Sequence, residues 1–214
     1  MLLDPAYARH RMADFDPAGA TPSADVGAGS WPVESPDTTH LSTMDADGNA
    51  VSYTTTLNLS YGTKIVVTGA GFLLNNEMDD FSSKPGVPNA YGLLGEEANA
   101  IQPGKRMLSS MTPTIVTKDG EPWLVTGSPG GSTIITTTMQ VVLNSIDHEM
   151  SINDAVGRPR FHHQWQPERV VYEPLGLSPD TLTILESLGH EMVPTPWGAG
   201  IGDANSIKRV DGEI

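Results

Sequence analysis

The chain has 214 residues, with 22 glycines, 17 prolines, no cysteine and a formal net charge of −14 at pH 7. That length suffices for one domain with a sizeable core, and the acidic balance argues against binding nucleic acid or an anionic membrane surface. The lack of thiols excludes disulfides, thiolate catalysis and cysteine-ligated zinc. No apolar run reaches the ~18 residues of a spanning helix. Met1-Leu2-Leu3-Asp4 has neither the basic region nor the apolar stretch of a signal peptide, so an export signal, if there is one, is expected upstream of this chain.

In chain order, residues 4–15 suit a short helix, and residues 16–37, rich in Pro, Gly, Ala, Ser and Asp, read as an extended linker. His40 to Asp45 and Asn49 to Thr56 are β-rich around the turn Ala46-Asp47-Gly48. Leu74 to Lys105 is polar and loop-like, and its length points to function. A second hairpin is expected from Met111 to Thr117 and Pro122 to Gly127, around Lys118-Asp119-Gly120. Gly130-Gly131-Ser132 then opens an apolar stretch, Thr133 to Ile146, expected to be a buried helix despite its β-branched residues. Ser151 and Ser178 look like helix N-caps, the second followed by Pro179 at the first helical position, and Gly189 sits where a C-terminal cap belongs. Ser206 to Val210 is an expected strand entering the turn Asp211-Gly212, and a hairpin with almost no second strand suggests truncation. Strands, then helices, then strands favour a layered α+β fold.

The chemistry concentrates at Asp37-Thr38-Thr39-His40. A threonine hydroxyl is a poor nucleophile until a base lies beside it, and one solution makes the threonine the first residue of a chain so that its own α-amine is the base. That amine has a reference pKa of about 7.7–8.0, near the optimum for a general base. Residues 35–40 therefore read as a site where a precursor cuts itself before Thr38, although threonine is also common in plain strands. Four further segments matter: Thr56-Leu57-Asn58; Leu74-Asn75-Asn76-Glu77-Met78-Asp79-Asp80-Phe81; Lys105-Arg106-Met107-Leu108-Ser109-Ser110-Met111-Thr112-Pro113-Thr114; and Gly127-Ser128-Pro129-Gly130-Gly131-Ser132.

In this order and spacing the five segments resemble γ-glutamyltranspeptidases across residues 38–214, with Arg158-Pro159-Arg160-Phe161-His162-His163-Gln164 as a further family-like stretch. The resemblance implies an N-terminal nucleophile hydrolase, a four-layer αββα sandwich of the α+β class, here partial because the large-subunit half is not in this chain. Residues 1–37 resemble the tail of that large subunit, and residues 38–214 the small catalytic subunit without its C-terminal end. The implied reaction begins with self-cleavage after Asp37. Thr38 then attacks the γ-amide of glutathione or another γ-glutamyl compound, and water or an acceptor amino acid or peptide resolves the ester. The resemblance implies no metal or organic cofactor, and a periplasmic or extracellular location.

The implied roles fall on specific residues. Thr56 matches a second threonine that hydrogen-bonds the nucleophile; a hydroxyl there can orient the α-amine and share its proton. Asn58, Glu77 and Asp80 match the positions that hold the substrate α-ammonium, for which carboxylate and carbonyl oxygens are the strong partners. Residues 75–80 also read as a solvated acidic loop; a calcium site is a weaker rival because the spacing does not fit an EF-hand. Ser109 and Ser110 match the α-carboxylate site, or else form a turn before a strand. Gly130 and Gly131 match an oxyanion hole at a helix N-terminus; a phosphate loop fails because neither Gly-Lys-[Ser/Thr] nor G-x-G-x-x-G is present. Adjacent His162 and His163 point to different sides of any regular element, so they read as structural. A G-x-S-x-G nucleophile elbow is also missing.

Two alternatives stand beside this one. A β-lactam side-chain acylase of the same fold, such as a glutaryl-cephalosporin acylase, would not need Asn58, Glu77 and Asp80, because a glutaryl group has no ammonium. A truncated, non-catalytic fragment would not use Thr38 at all. The isolated chain is expected to be poorly active, because a sandwich shared between two subunits leaves sheet surface uncovered.

Overall fold

The computed structural model describes residues 38–89 and 93–210, together with 5, 9, 15–20 and 22. Most of the expected helix over 4–15 and of the linker over 16–37 falls outside these residues, and Asp37 and the turn Asp211-Gly212 lie outside them entirely.

Strands β1 (Thr38–Met44) and β2 (Ala50–Thr56) form an antiparallel hairpin in unbroken register from Thr38↔Thr56 to Met44↔Ala50. The Asp45 carboxylate closes the turn by accepting from the amides of Asp47 (3.0 Å) and Asn49 (2.9 Å). β1 starts two residues before the expected His40, because Thr38 and Thr39, both β-branched, pair with Thr56 and Thr55.

The alternation of this hairpin is inverted. Its inward face carries Thr38, His40, Ser42, Ser52, Thr54 and Thr56, while Leu41, Val51 and Tyr53 point outward and are about half exposed. A polar face can turn inward only when its groups find partners, and these do. Ser42 Oγ donates to Asn205 O (2.8 Å), and Ser52 Oγ to Thr126 O (2.9 Å). The His40 ring spans Thr54 Oγ1 (2.7 Å) and Ser42 Oγ (3.1 Å).

The surface beneath is the second hairpin, β3 (Thr114–Lys118) and β4 (Glu121–Thr126), extended by β8 (Ile207–Lys208) on the far side of β4. Residues 111–113 lie outside β3, so the strand is shorter than expected. Its register shifts between Val116 and Thr117, where Thr117 faces Pro122, a residue with no amide to donate to the ladder. Helix α1 (Thr133–Ile146) packs on β4, and Leu124, Val125, Ile134 and Val141 form a fully buried apolar centre.

Helix α2 (Ile152–Gly157) is capped by Ser151, whose hydroxyl accepts from the Asp154 amide. A third sheet holds β5 (Phe161–His162), β6 (Val170–Tyr172) and β7 (Met192–Pro194), with β6 and β7 parallel. That pairing needs a crossover, supplied by α3 (Pro179–Ser187), capped by Ser178 with Pro179 in its first turn. Gly189 follows at φ 102°, the left-handed geometry of a C-terminal cap. Residues 74–105 contain short 3-10 turns at Glu77–Asp80 and Glu97–Asn99 and isolated bridges, but no longer element among the described residues.

Candidate active site

Thr38 and Thr56 are register partners, so their side chains emerge on one face at neighbouring positions. The Thr38 hydroxyl donates to Thr56 Oγ1 at 3.1 Å. Thr56 Oγ1 also accepts from the Asn58 amide at 2.9 Å, which turns the chain sharply as β2 ends. Asn58 itself is buried at φ 72°. Its Nδ2 donates to Asn76 O (3.1 Å), while Asn76 Oδ1 accepts from the Leu59 amide (3.0 Å). The end of the first hairpin is thereby fastened to the acidic loop.

In that loop the 3-10 turn Glu77–Asp80 places two carboxyls next to each other, close enough to share a hydrogen bond when one is protonated. Burial, then the charge of Asp80, pushes Glu77 up to about 7. Burial, then the charge of Asp79, also raises Asp80. Burial and neighbouring like charge make ionisation of these carboxyls costly, and a cation beside them would offset that cost.

The loop from Gly127 to Ser132 joins β4 to α1. Gly130 and Gly131 adopt φ values of 134° and 58°, a left-handed path that disfavours any side chain. A Cβ on Gly130 would lie 2.5 Å from Thr133 Oγ1. Neither glycine amide donates to a backbone carbonyl among the described residues. Amides of this kind at the start of a 14-residue helix can receive a developing oxyanion.

Thr38, Thr56, Asn58, Asp80, Ser110 and Gly131 line one small cleft, with Leu93, Leu108 and Met111 as apolar walls. Glu77, Ser109 and Gly130 do not line it. Ser109 is exposed and its hydroxyl accepts from the Met111 amide at 3.2 Å. Ser132 lines the cleft and is absent from the sequence-derived set; its place directly after the glycine pair was the available signal. Although it holds the N-cap position of α1, its side chain makes no capping bond and instead meets Gln164 Oε1 and His162 Nε2.

His162 ends β5, and His163 lies just beyond it in a different environment. His162 is buried, with Nδ1 2.7 Å from Thr136 Oγ1 and Nε2 2.5 Å from Gln164 Oε1, and burial pushes its pKa below the ordinary histidine value. His163 is exposed.

The family model for γ-glutamyltranspeptidase matches residues 1–214. The chain is 55% identical to the glutathione hydrolase proenzyme of Escherichia coli K12, covering 89% of this chain and 33% of that protein. It is 54% identical to the proenzyme of a Pseudomonas species, over 98% and 35% of the two chains. It thus spans about a third of the length of these curated relatives. Among solved structures, a mutant γ-glutamyltranspeptidase of Helicobacter pylori superposes with a TM-score of 0.77 at 53% identity, covering 80% of this chain and 91% of that one. A cephalosporin acylase of Bacillus halodurans gives 0.77 at 27% identity, over 98% and 35%. The chain belongs to the γ-glutamyltranspeptidase family and has the fold of the N-terminal nucleophile hydrolases.

Proposed function

We propose that this chain carries the catalytic threonine of an autoprocessed γ-glutamyl hydrolase and transferase, of which residues 38–214 are the small-subunit part and residues 1–37 the tail of the large subunit. The observation that carries the proposal is the convergence of Thr38, Thr56, Asn58, Asp80, Ser110 and Gly131 on one cleft. Thr38 Oγ first attacks the Asp37 carbonyl, the peptide nitrogen leaves, and water hydrolyses the resulting ester, freeing the Thr38 amine and the Asp37 carboxylate. The mature Thr38 hydroxyl, its proton taken by that amine and its orientation fixed by Thr56, then attacks the γ-carbonyl of glutathione or a related donor. Gly130 and Gly131 amides stabilise the tetrahedral oxyanion. The departing amine takes the proton, and water or the amine of an acceptor amino acid or peptide resolves the γ-glutamyl ester.

Asn58, Glu77 and Asp80 hold the donor α-ammonium, and Ser109 and Ser110 its α-carboxylate. The acidic pair favours this donor over the glutaryl group of an acylase, which offers no cation. A large-subunit partner fits the half-exposed Leu41, Val51 and Tyr53 on the outer face of the first hairpin, and the isolated chain is expected to turn over poorly. The parent protein is assigned to the periplasm or outside the cell by resemblance to its family. Among the described residues no helix is long and apolar enough to cross a membrane.

The test is the full-length protein containing this chain. Mass spectrometry should find a fragment beginning at Thr38, and a γ-glutamyl anilide should be cleaved in strong preference to a glutaryl anilide. A processed protein that prefers the glutaryl substrate would establish the acylase instead, and an uncleaved, inert protein would remove both enzymatic assignments.

A further inference from the structure

Two sides of the cleft come from different loops, Asp80 from one and Leu108 and Ser110 from another, and one side chain outside the cleft lining joins them. Asn99 closes the 3-10 turn Glu97–Asn99 with its amide on Glu96 O (3.0 Å), and its carbonyl accepts from the Ser82 amide (3.0 Å). Its side chain then uses both ends. Nδ2 donates to Asp80 O at 2.7 Å, and Oδ1 accepts from the Leu108 amide at 3.0 Å. Asn99 is partly buried, and the backbone around it is further tied by the bridge Ser82↔Ala100.

We propose that Asn99 is a positioning residue that fixes the distance between the cation-binding and anion-binding sides of the cleft. The inference rests on the proposed assignment of Asp80 to the donor ammonium and of Ser109 and Ser110 to its carboxylate. An α-amino acid presents these charges from a single carbon, so the two sides must hold one separation and one hand. A primary amide suits that task because it donates and accepts in one plane, and here it binds the backbone of each side rather than a flexible side chain. Asn99 touches no reacting atom in this scheme; it acts through Asp80 and the Leu108–Ser110 segment. Misplacement of a binding group by about an ångström is enough to weaken productive binding severely.

The test uses steady-state kinetics of the full-length protein with L- and D-γ-glutamyl anilides, with active sites counted by covalent labelling of Thr38. Asn99→Ala should raise KM for the L substrate about tenfold, the scale of one or two lost hydrogen bonds. Its kcat per labelled site should stay within about threefold, and its preference for L over D should fall severalfold. Asn99→Asp, nearly isosteric, keeps an acceptor for the Leu108 amide but sets an oxygen against Asp80 O. Its KM relative to wild type should be raised at neutral pH and recover as the new carboxyl protonates. Wild-type KM and stereopreference in both variants would overturn the proposal, as would a loss confined to the number of labelled sites. A wild-type protein without γ-glutamyl turnover would instead remove the functional assignment. The bridge itself is then judged by hydrogen exchange of the Leu108 amide, which Asn99→Ala should accelerate; unchanged exchange overturns it.

Discussion

The Thr38 hydroxyl lies 3.1 Å from the Thr56 hydroxyl, across the register pair at the open end of the first hairpin. The placement follows from strand geometry: partners directly opposite in an antiparallel pair share a face and are close. Because Thr56 Oγ1 also accepts from the Asn58 amide, the same atom holds the Thr38 hydroxyl and anchors the chain where it leaves β2.

Thr56→Val preserves shape but removes the acceptor. Turnover of a γ-glutamyl anilide should fall at least ~10²-fold, the scale of a misdirected acid–base step, and loss of the hydrogen bond from the Asn58 amide to Thr56 Oγ1 should cost about 0.5–1.5 kcal/mol of stability in urea denaturation. Thr38→Ala should abolish both turnover and the fragment beginning at Thr38; intact processing in that variant would place the cut elsewhere.

Asp80→Ala should raise KM by a factor worth ~1.5–3 kcal/mol, typical of a hydrogen bond to a charged group, with a smaller change in kcat. An unchanged KM would remove Asp80 from the ammonium site.

Glu77 gives the stability a pH dependence of defined sign. Burial and the neighbouring Asp80 raise its pKa from 4.5 to about 7 in the folded protein. A raised folded pKa means that the folded state binds the proton more tightly, so the contribution is full below pH 4.5 and is lost as pH rises through about 7. Thermal melts should therefore show wild type losing stability across this window more steeply than Glu77→Gln. Donor binding should improve over the same window as the carboxylate forms. Parallel melting curves for the two proteins would contradict the buried pair.

Gly127 is dictated by His40. A Cβ there would stand 2.3 Å from His40 Cε1, inside any van der Waals contact. Gly127→Ala should cost ~1–3 kcal/mol through overpacking between the two hairpins, seen as a lower urea midpoint at unchanged slope. Full stability would mean that the ring can withdraw.

Much of this was legible without coordinates. Both hairpins, α1, the caps at Ser151 and Ser178 and the glycine at 189 follow from local turn chemistry, β-branching and capping preferences, which act within a few residues. Strands β5, β6 and β7 were not anticipated, because two or three residues carry no periodicity and exist only through their pairing partners. The inverted alternation of β1 and β2 was hidden for a related reason. A strand's pattern says that its two faces differ, but whether Ser42, Ser52 and His40 or Leu41, Val51 and Tyr53 turn inward depends on acceptors contributed by Thr126 and Asn205.

The candidate site divides the same way. Resemblance to the γ-glutamyltranspeptidases singled out Thr38, Thr56, Asn58, Glu77, Asp80, Ser109, Ser110, Gly130 and Gly131, because the motifs that carry that resemblance are written directly in the order of the chain. Only the tertiary structure decided that Ser110 lines the cleft while Ser109 is exposed, that Ser132 joins it, and that Asn99 bridges its two sides. These are relations between segments distant in sequence, fixed by directional hydrogen bonds and excluded volume, and no local preference encodes them.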